Sequence, residues 1–125
     1  MGLDQYFYTT NKKLVNEIIK AYDVGFGLTT EFVLDHLFGY KKEEYYDRKN
    51  WPLDTLLLDN CQRLINTRDS VYVVPREVIK DLSKVERFAD MSEEESDRVV
   101  YAIKELASIY DGLDDETTML YLRDY

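Results

Sequence analysis

At 125 residues, 45% hydrophobic and 33% charged, the chain has the size and balance of one folded domain, not of a disordered segment. No apolar run approaches the ~18 residues that cross a bilayer, the first residues lack the basic-then-apolar layout of a leader, and the single cysteine, Cys61, excludes an internal disulfide. A reducing, cytoplasmic setting is therefore expected. The net charge of −9 is segregated: residues 91–125 hold 10 acids against 3 bases, a net of −7, and residues 1–90 hold 15 against 13, a net of −2.

In chain order, Leu3 to Thr10 is rich in β-formers and predicts a strand. Asn11 is placed to cap a helix whose apolar positions Leu14, Val15, Ile18, Ile19 and Tyr22 follow the 3.6 period, and "VGFG" at 24–27 ends it. Thr29 or Thr30 opens a second short helix through Phe32, Val33, Leu37 and Phe38, closed by Gly39. The charged aromatic stretch "YKKEEYYDRKN" then reads as a loop or a helical extension. Pro52 sits well in the first turn of a third helix, with Leu53, Leu56, Leu57, Cys61, Leu64 and Ile65 on one side.

"NTRDS" is a turn and Val71–Val74 a short strand. Pro75 starts a fourth helix carrying Val78, Ile79, Leu82, Val85 and Phe88. Ser92 starts a fifth, with Val99, Val100, Ile103, Leu106, Ala107 and Tyr110 inward, stopped at Asp111-Gly112. Met119 to Leu122 has strand character. The expectation is a single α+β domain spanning 1–125, about five helices around a small two- or three-stranded sheet, with the first and last strands as neighbours.

The acidic run "SEEESD" has a local reason: Ser92 and Glu95 match a capping box, and Glu93 and Glu94 offset the positive helix end. Capping does not explain Asp111 at the helix C-terminus, nor Asp114, Asp115 and Glu116 beyond it. Such an anionic region repels nucleic acid and membranes and favours a basic protein partner. Glu93, Glu94, Glu95, Asp97, Asp111, Asp114, Asp115 and Glu116 are the candidate contact residues. A second candidate contact is the aromatic and basic segment holding Tyr45, Tyr46, Arg48 and Trp51, since aromatics and arginine are enriched at interfaces.

Catalytic signals are weak. His36 lies beside the apolar stripe of a short helix, and Cys61 falls within a leucine-rich face. One cysteine and one histidine are too few for a zinc site, and neither "EEES" nor "DDET" has the alternating ligands of a calcium loop. "VGFG" matches no phosphate-binding pattern, so neither metal nor cofactor is expected. Dispersed carboxylates that converge in the fold would leave a small hydrolase open.

Three stretches together resemble one family. "MGLDQYF" at 1–7 is similar to the opening, MGLDMYL, of small bacteriophage and prophage proteins. "YDRKN" at 46–50 resembles their YWRKAN through Tyr46, Arg48 and Lys49, with Asp47 where the family has tryptophan and without the alanine after Lys49. "YVVPREVI" at 72–79 resembles YEVSREQL at Tyr72, Val74, Arg76 and Glu77, with Ile79 for leucine. The resemblance implies a phage or prophage origin and carries no activity with it. The expected function is a non-enzymatic binding protein in the host cytoplasm, inhibiting a nucleic-acid-handling or defence protein through its acidic surface as a nucleic-acid mimic. The alternatives are a self-assembly module, a homodimer built on Tyr45–Trp51, and the carboxylate-dependent hydrolase.

Overall fold

A computed structural model describes residues 2–23, 42–65 and 70–124. Along the chain it forms β1 (Asp4–Asn11), α1 (Lys12–Asp23), β2 (Tyr45–Arg48), α2 (Trp51–Asn60), β3 (Gln62–Ile65), β4 (Ser70–Val74), α3 (Arg76–Leu82), α4 (Glu93–Asp111) and β5 (Thr117–Asp124). The strands make one antiparallel sheet in the order β2-β1-β5-β4-β3. The expectation of about five helices around two or three strands is thus corrected: the described residues give four helices and a five-stranded antiparallel sheet. The expected helix over 29–39, with His36, lies outside the described residues, as do the "VGFG" stop and most of the 66–70 turn.

Two strands lie where the sequence predicts something else. In β2 only Tyr45 and Asp47 turn inward while Tyr46 and Arg48 are exposed, so an acid takes one of two inward places and no apolar alternation can be read. The leucine stripe through Ile65 predicts one continuous helix, yet α2 stops at Asn60. Cys61 is extended (φ −120°, ψ 151°), and the chain turns into β3, which pairs with β4. Leu64 then enters the opposite side of the sheet from Leu53 and Leu57. α3 also ends early, at Leu82. Phe88 still packs on the core from the following turn, its N–H donating to the buried Ser96 Oγ at 2.9 Å.

Helices cover both faces of the sheet. Val15 and Ile18 of α1 pack with Val71, Leu120 and Leu122 on one side. Helices α2, α3 and α4 bring Leu53, Leu57, Ile79, Val99, Ile103 and Leu106 against Phe7, Met119 and Tyr121 on the other. Central β5 is therefore buried from Thr118 through Arg123. That is why its apolar and aromatic residues run together instead of alternating with polar ones. On the α4 side, a row of rings crosses four strands: Tyr45–Phe7 at 5.6 Å between centroids, Phe7–Tyr121 at 4.8 Å and Tyr121–Tyr72 at 6.4 Å.

The first and last strands are neighbours, as expected, paired from Asp4↔Asp124 to Asn11↔Thr117. No loop separates β1 from α1. Asn11 Oδ1 accepts from the Lys13 N–H at 2.8 Å, so the last strand residue also secures the helix start. The capping box expected on α4 is present in both directions: the Ser92 side chain accepts from the Glu95 N–H, and the Glu95 carboxylate accepts from the Ser92 N–H. At its other end, Arg76 donates to the carbonyls of Tyr110 (2.7 Å), Leu113 (3.0 Å) and Asp114 (3.1 Å). The likeness at Arg76 thus falls on a residue that closes α4.

Replacing Ser92 with alanine should lower the unfolding free energy in urea by about 1 kcal/mol, while Glu95→Gln, which keeps an acceptor, should cost less. Equal losses from the two changes would contradict this account of the helix start.

Candidate functional site

Two assemblies of polar residues stand out among the described residues: a buried chain beneath the β2–α2 junction, and the solvent face of α4. The buried chain starts at Asp54, placed in the first turn of α2 by the Asn50 cap, whose side chain accepts from the Leu53 N–H. Asp54 is 4% exposed, and its carboxylate receives a bidentate pair from Arg123 at 2.8 and 2.9 Å together with the Tyr121 hydroxyl at 2.6 Å. Gln5 Nε2 donates to the Tyr121 hydroxyl and to the Asn50 carbonyl, both at 3.1 Å, and Gln5 Oε1 accepts the Asn50 N–H at 2.8 Å. Asn50 Nδ2 donates to Asp47, and Asp47 in turn accepts from Arg98 on α4 at 2.8 Å.

Seven side chains, from β1, β2, α2 and its Asn50 cap, α4 and β5, are thereby joined. Among the described residues no buried side-chain polar atom is left without a partner. The arrangement also specifies register. Asp47, Gln5 and Arg123 are cross-strand partners in one row over β2, β1 and β5. A slip of one residue would turn that row to the α1 face, away from Asp54.

Two of the resembling stretches meet here. Lys49 donates its N–H to Leu3 at 2.7 Å, the Tyr46 hydroxyl donates to Asp4 at 2.7 Å, and Gln5 holds Asn50. Lys49 has φ 55°, the one positive-φ non-glycine residue described, and its side chain lies over Gly2, where an added Cβ would come within 3.2 Å of Lys49 Cε. The "GLDQ" and "YDRKN" motifs are thus halves of one packed unit.

The aromatic and basic candidates do not share a face. Tyr45 packs inward on Phe7, and burial, aided by the Asp47 charge, pushes its hydroxyl up to about 12. Tyr46 faces the other side of the sheet against the Tyr6 ring, 5.3 Å away. Arg48 is exposed, as is Trp51 at the start of α2. β2 is an edge strand, and its last residue is covered: the Arg48 N–H donates to Asp47 Oδ1, and its carbonyl accepts from Arg98. Such occupied backbone groups discourage strand addition at an edge.

The acidic candidates fall at both ends of α4 and just beyond it. Its first and last residues, Glu93 and Asp111, lie about 27 Å apart along the axis at 1.5 Å per residue. Glu93, Asp97, Tyr101, Lys104, Ser108 and Asp111 are all exposed and recur at spacings of three and four, which puts them on one stripe. Glu94 and Glu105 flank that stripe; Glu95 serves the capping box. Asp114 is partly used in the turn to β5, accepting from the Glu116 N–H and the Thr117 hydroxyl, while Asp115 and Glu116 are exposed. Glu93, Glu94, Asp97 and Asp111 form no ion pair among the described residues. At mid-stripe sits Tyr101, 62% exposed, which sequence reasoning passed over because a lone tyrosine within a helix carries no periodic signal.

Chemically, the buried titratable groups among the described residues are committed or subdued. Both Asp54 oxygens are occupied, and burial together with the Asp54 charge raises the Tyr121 hydroxyl far above its ordinary range. Burial pushes the Cys61 thiol up to about 12, so it is a neutral thiol near pH 7 and a poor nucleophile. Among the described residues no group of three histidine, cysteine or acidic side chains is placed to hold a metal ion, and no helix is long and apolar enough to cross a membrane. Comparison with protein-family models, with curated proteins and with solved structures finds no match.

Asp54→Ala should destabilise the protein by about 3–5 kcal/mol, because Arg123 would be left charged and buried. Asp54→Leu combined with Arg123→Met should recover most of that loss in the same urea titration. A second outcome concerns alkali. The Cys61 thiol ordinarily ionises near 9.0 and here near about 12, so above pH 9 the unfolded chain releases a proton that the folded chain retains. Stability is therefore full below pH 9 and falls as pH rises from 9 towards 12. Cys61→Ala should flatten the early part of that fall, measured by urea midpoints at each pH.

Proposed function

We propose that the protein is a non-enzymatic binding module that docks the solvent face of α4 onto a basic protein surface. The observation that carries the reading is the stripe itself: an exposed aromatic ring at its centre, with carboxylates towards both ends that form no ion pair among the described residues. Interfaces draw most of their energy from a few central anchors, often tyrosine, tryptophan or arginine. Surrounding charge speeds capture and selects the partner. Here Tyr101 is the anchor, and Glu93, Glu94, Asp97, Glu105 and Asp111 supply the negative field. Lys104, Arg98 and Tyr101 interrupt that field at mid-helix. The surface therefore has two anionic poles about 27 Å apart by helical rise, unlike an unbroken phosphate track.

The likeness to phage-encoded proteins supports a host cytoplasmic partner, and the sign of the field supports one that normally holds nucleic acid in a basic groove. Inhibition would follow from occupying that groove. Enzymatic action is the less supported reading because the buried carboxylate is saturated by its own neighbours.

The test is capture on the immobilised protein followed by cross-linking to locate the contact. Bound partners should cross-link to α4 and release as salt rises from about 0.1 M to about 1 M, where the Debye length falls from ~10 to ~3 Å. Tyr101→Ala should weaken binding about 30-fold, the effect of a hot-spot residue worth about 2 kcal/mol. A variant with Glu93, Glu94, Asp97 and Asp111 made neutral should lose it. The same partners retained by both variants would overturn the proposal. So would a stable homodimer in light scattering that is abolished by Trp51→Ala, which would make Trp51, 45% exposed, the contact instead.

A further inference from the structure

We propose that the cleft between the start of α1 and the β4–α3 junction binds a small organic anion: an aryl or alkyl carboxylate of about ten heavy atoms, the size that roughly nine waters of liquid volume would fill. The site is separate from the solvent face of α4 and does not depend on the docking proposed there.

The cleft has a volume of about 260 Å³. Its apolar walls come from Val15 and Ile19 of α1, Val73 of β4 and Pro75. Polar groups ring it, with Asn16 and Gln62 on exposed positions and Thr117 beside them. An apolar body with a few convergent polar groups is the usual make-up of a small-molecule site.

The charge around the cleft sets the class of ligand. Lys12 and Arg76 both line it, against one carboxylate, Glu77, which lies exposed. Lys12 has no ion pair among the described residues, and the first turn of α1 contains no acid to neutralise it. Arg76 is fixed in place. Its guanidinium is tied to three carbonyls and lies 4.9 Å from the centroid of the Tyr110 ring. A cation already immobilised loses little freedom when a ligand arrives, so its attraction to an anion is not spent on ordering the side chain. In a chain of net charge −9, the lining of this recess carries two cations and one acid. A carboxylate lying towards Lys12 and Arg76, with its hydrocarbon on Val15, Ile19 and Val73, satisfies both halves of the cleft.

Phenylacetate is a suitable probe, titrated into the full chain and followed by two-dimensional amide NMR. Saturable shifts should appear at Val15, Asn16, Gln62 and Val73, with a Kd on the order of 1 mM for so small a ligand. Phenylacetamide, which keeps the ring and loses the charge, should bind at least about tenfold more weakly, as should phenylacetate with the Lys12→Glu variant. Lys12 is exposed and its backbone N–H donates to the Glu116 carbonyl at 2.8 Å, so the amide spectrum of the unliganded variant, compared with that of the native chain, serves as the folding control. No saturation by about 10 mM, shifts confined to other surfaces, or equal affinity for the amide would each overturn the proposal.

Discussion

Asp54 is the constraint around which the rest of the structure is arranged. A carboxylate almost wholly removed from water must be met by opposite charge and hydrogen bonds, or it will not stay ionised where it is. Here Arg123 supplies both, Tyr121 adds a hydroxyl, and Gln5 and Asn50 extend the pairing to β1 and β2. Buried ion pairs often add little stability relative to apolar packing, because desolvation offsets the attraction. What this one contributes is exclusivity. Strand register, the α2 start and the approach of α4 are mutually consistent only when Asp47, Gln5 and Arg123 share one row facing Asp54.

That constraint reaches the surface through Arg98. The residue belongs to the charged face of α4, yet its guanidinium is spent on Asp47 and on the carbonyls of Arg48 and Lys49. The same contact does two things. It covers the last residue of the β2 edge, and it ties α4 to that edge, while the buried face of Val99, Ile103 and Leu106 leaves Glu93, Asp97, Tyr101 and Asp111 facing solvent as a line. The acidic stripe is thus oriented by the packing of the opposite face of α4, with Arg98 as a tie to the polar chain, and not by local helix propensity alone. At the far end of the helix, Arg76 does the corresponding work, satisfying carbonyls next to Asp111 and Asp114 where negative charge would otherwise meet the negative helix end.

Some of this was readable from residues alone. Ser92 with Glu95, Asn11 before a 3.6-residue stripe and the β-rich ends at Leu3–Thr10 and Met119–Leu122 are local signals, and the corresponding elements form. The two missed strands had no such signal. Tyr45–Arg48 places an acid inward because Asn50 and Arg98 await it, and Gln62–Ile65 continues a leucine spacing that a helix and a strand can share. Asp54 was hidden for a similar reason: an aspartate in a first turn reads as a helix-end charge, and its partner lies 69 positions away. Tyr101, set between Val100 and Ala102 in the chain, carried no pattern that marks it as exposed.

By itself the sequence determined the capped helices, the strand character of both ends and the segregation of negative charge into residues 91–125, because each follows from side chains within a few positions of one another. Only the tertiary structure decided that the sheet has five strands, that Asp54 and Arg123 meet, and that carboxylates from both ends of α4 share one exposed line. Those outcomes depend on pairings between distant segments, where desolvation and geometry select one arrangement and nearest neighbours in the chain carry no record of it.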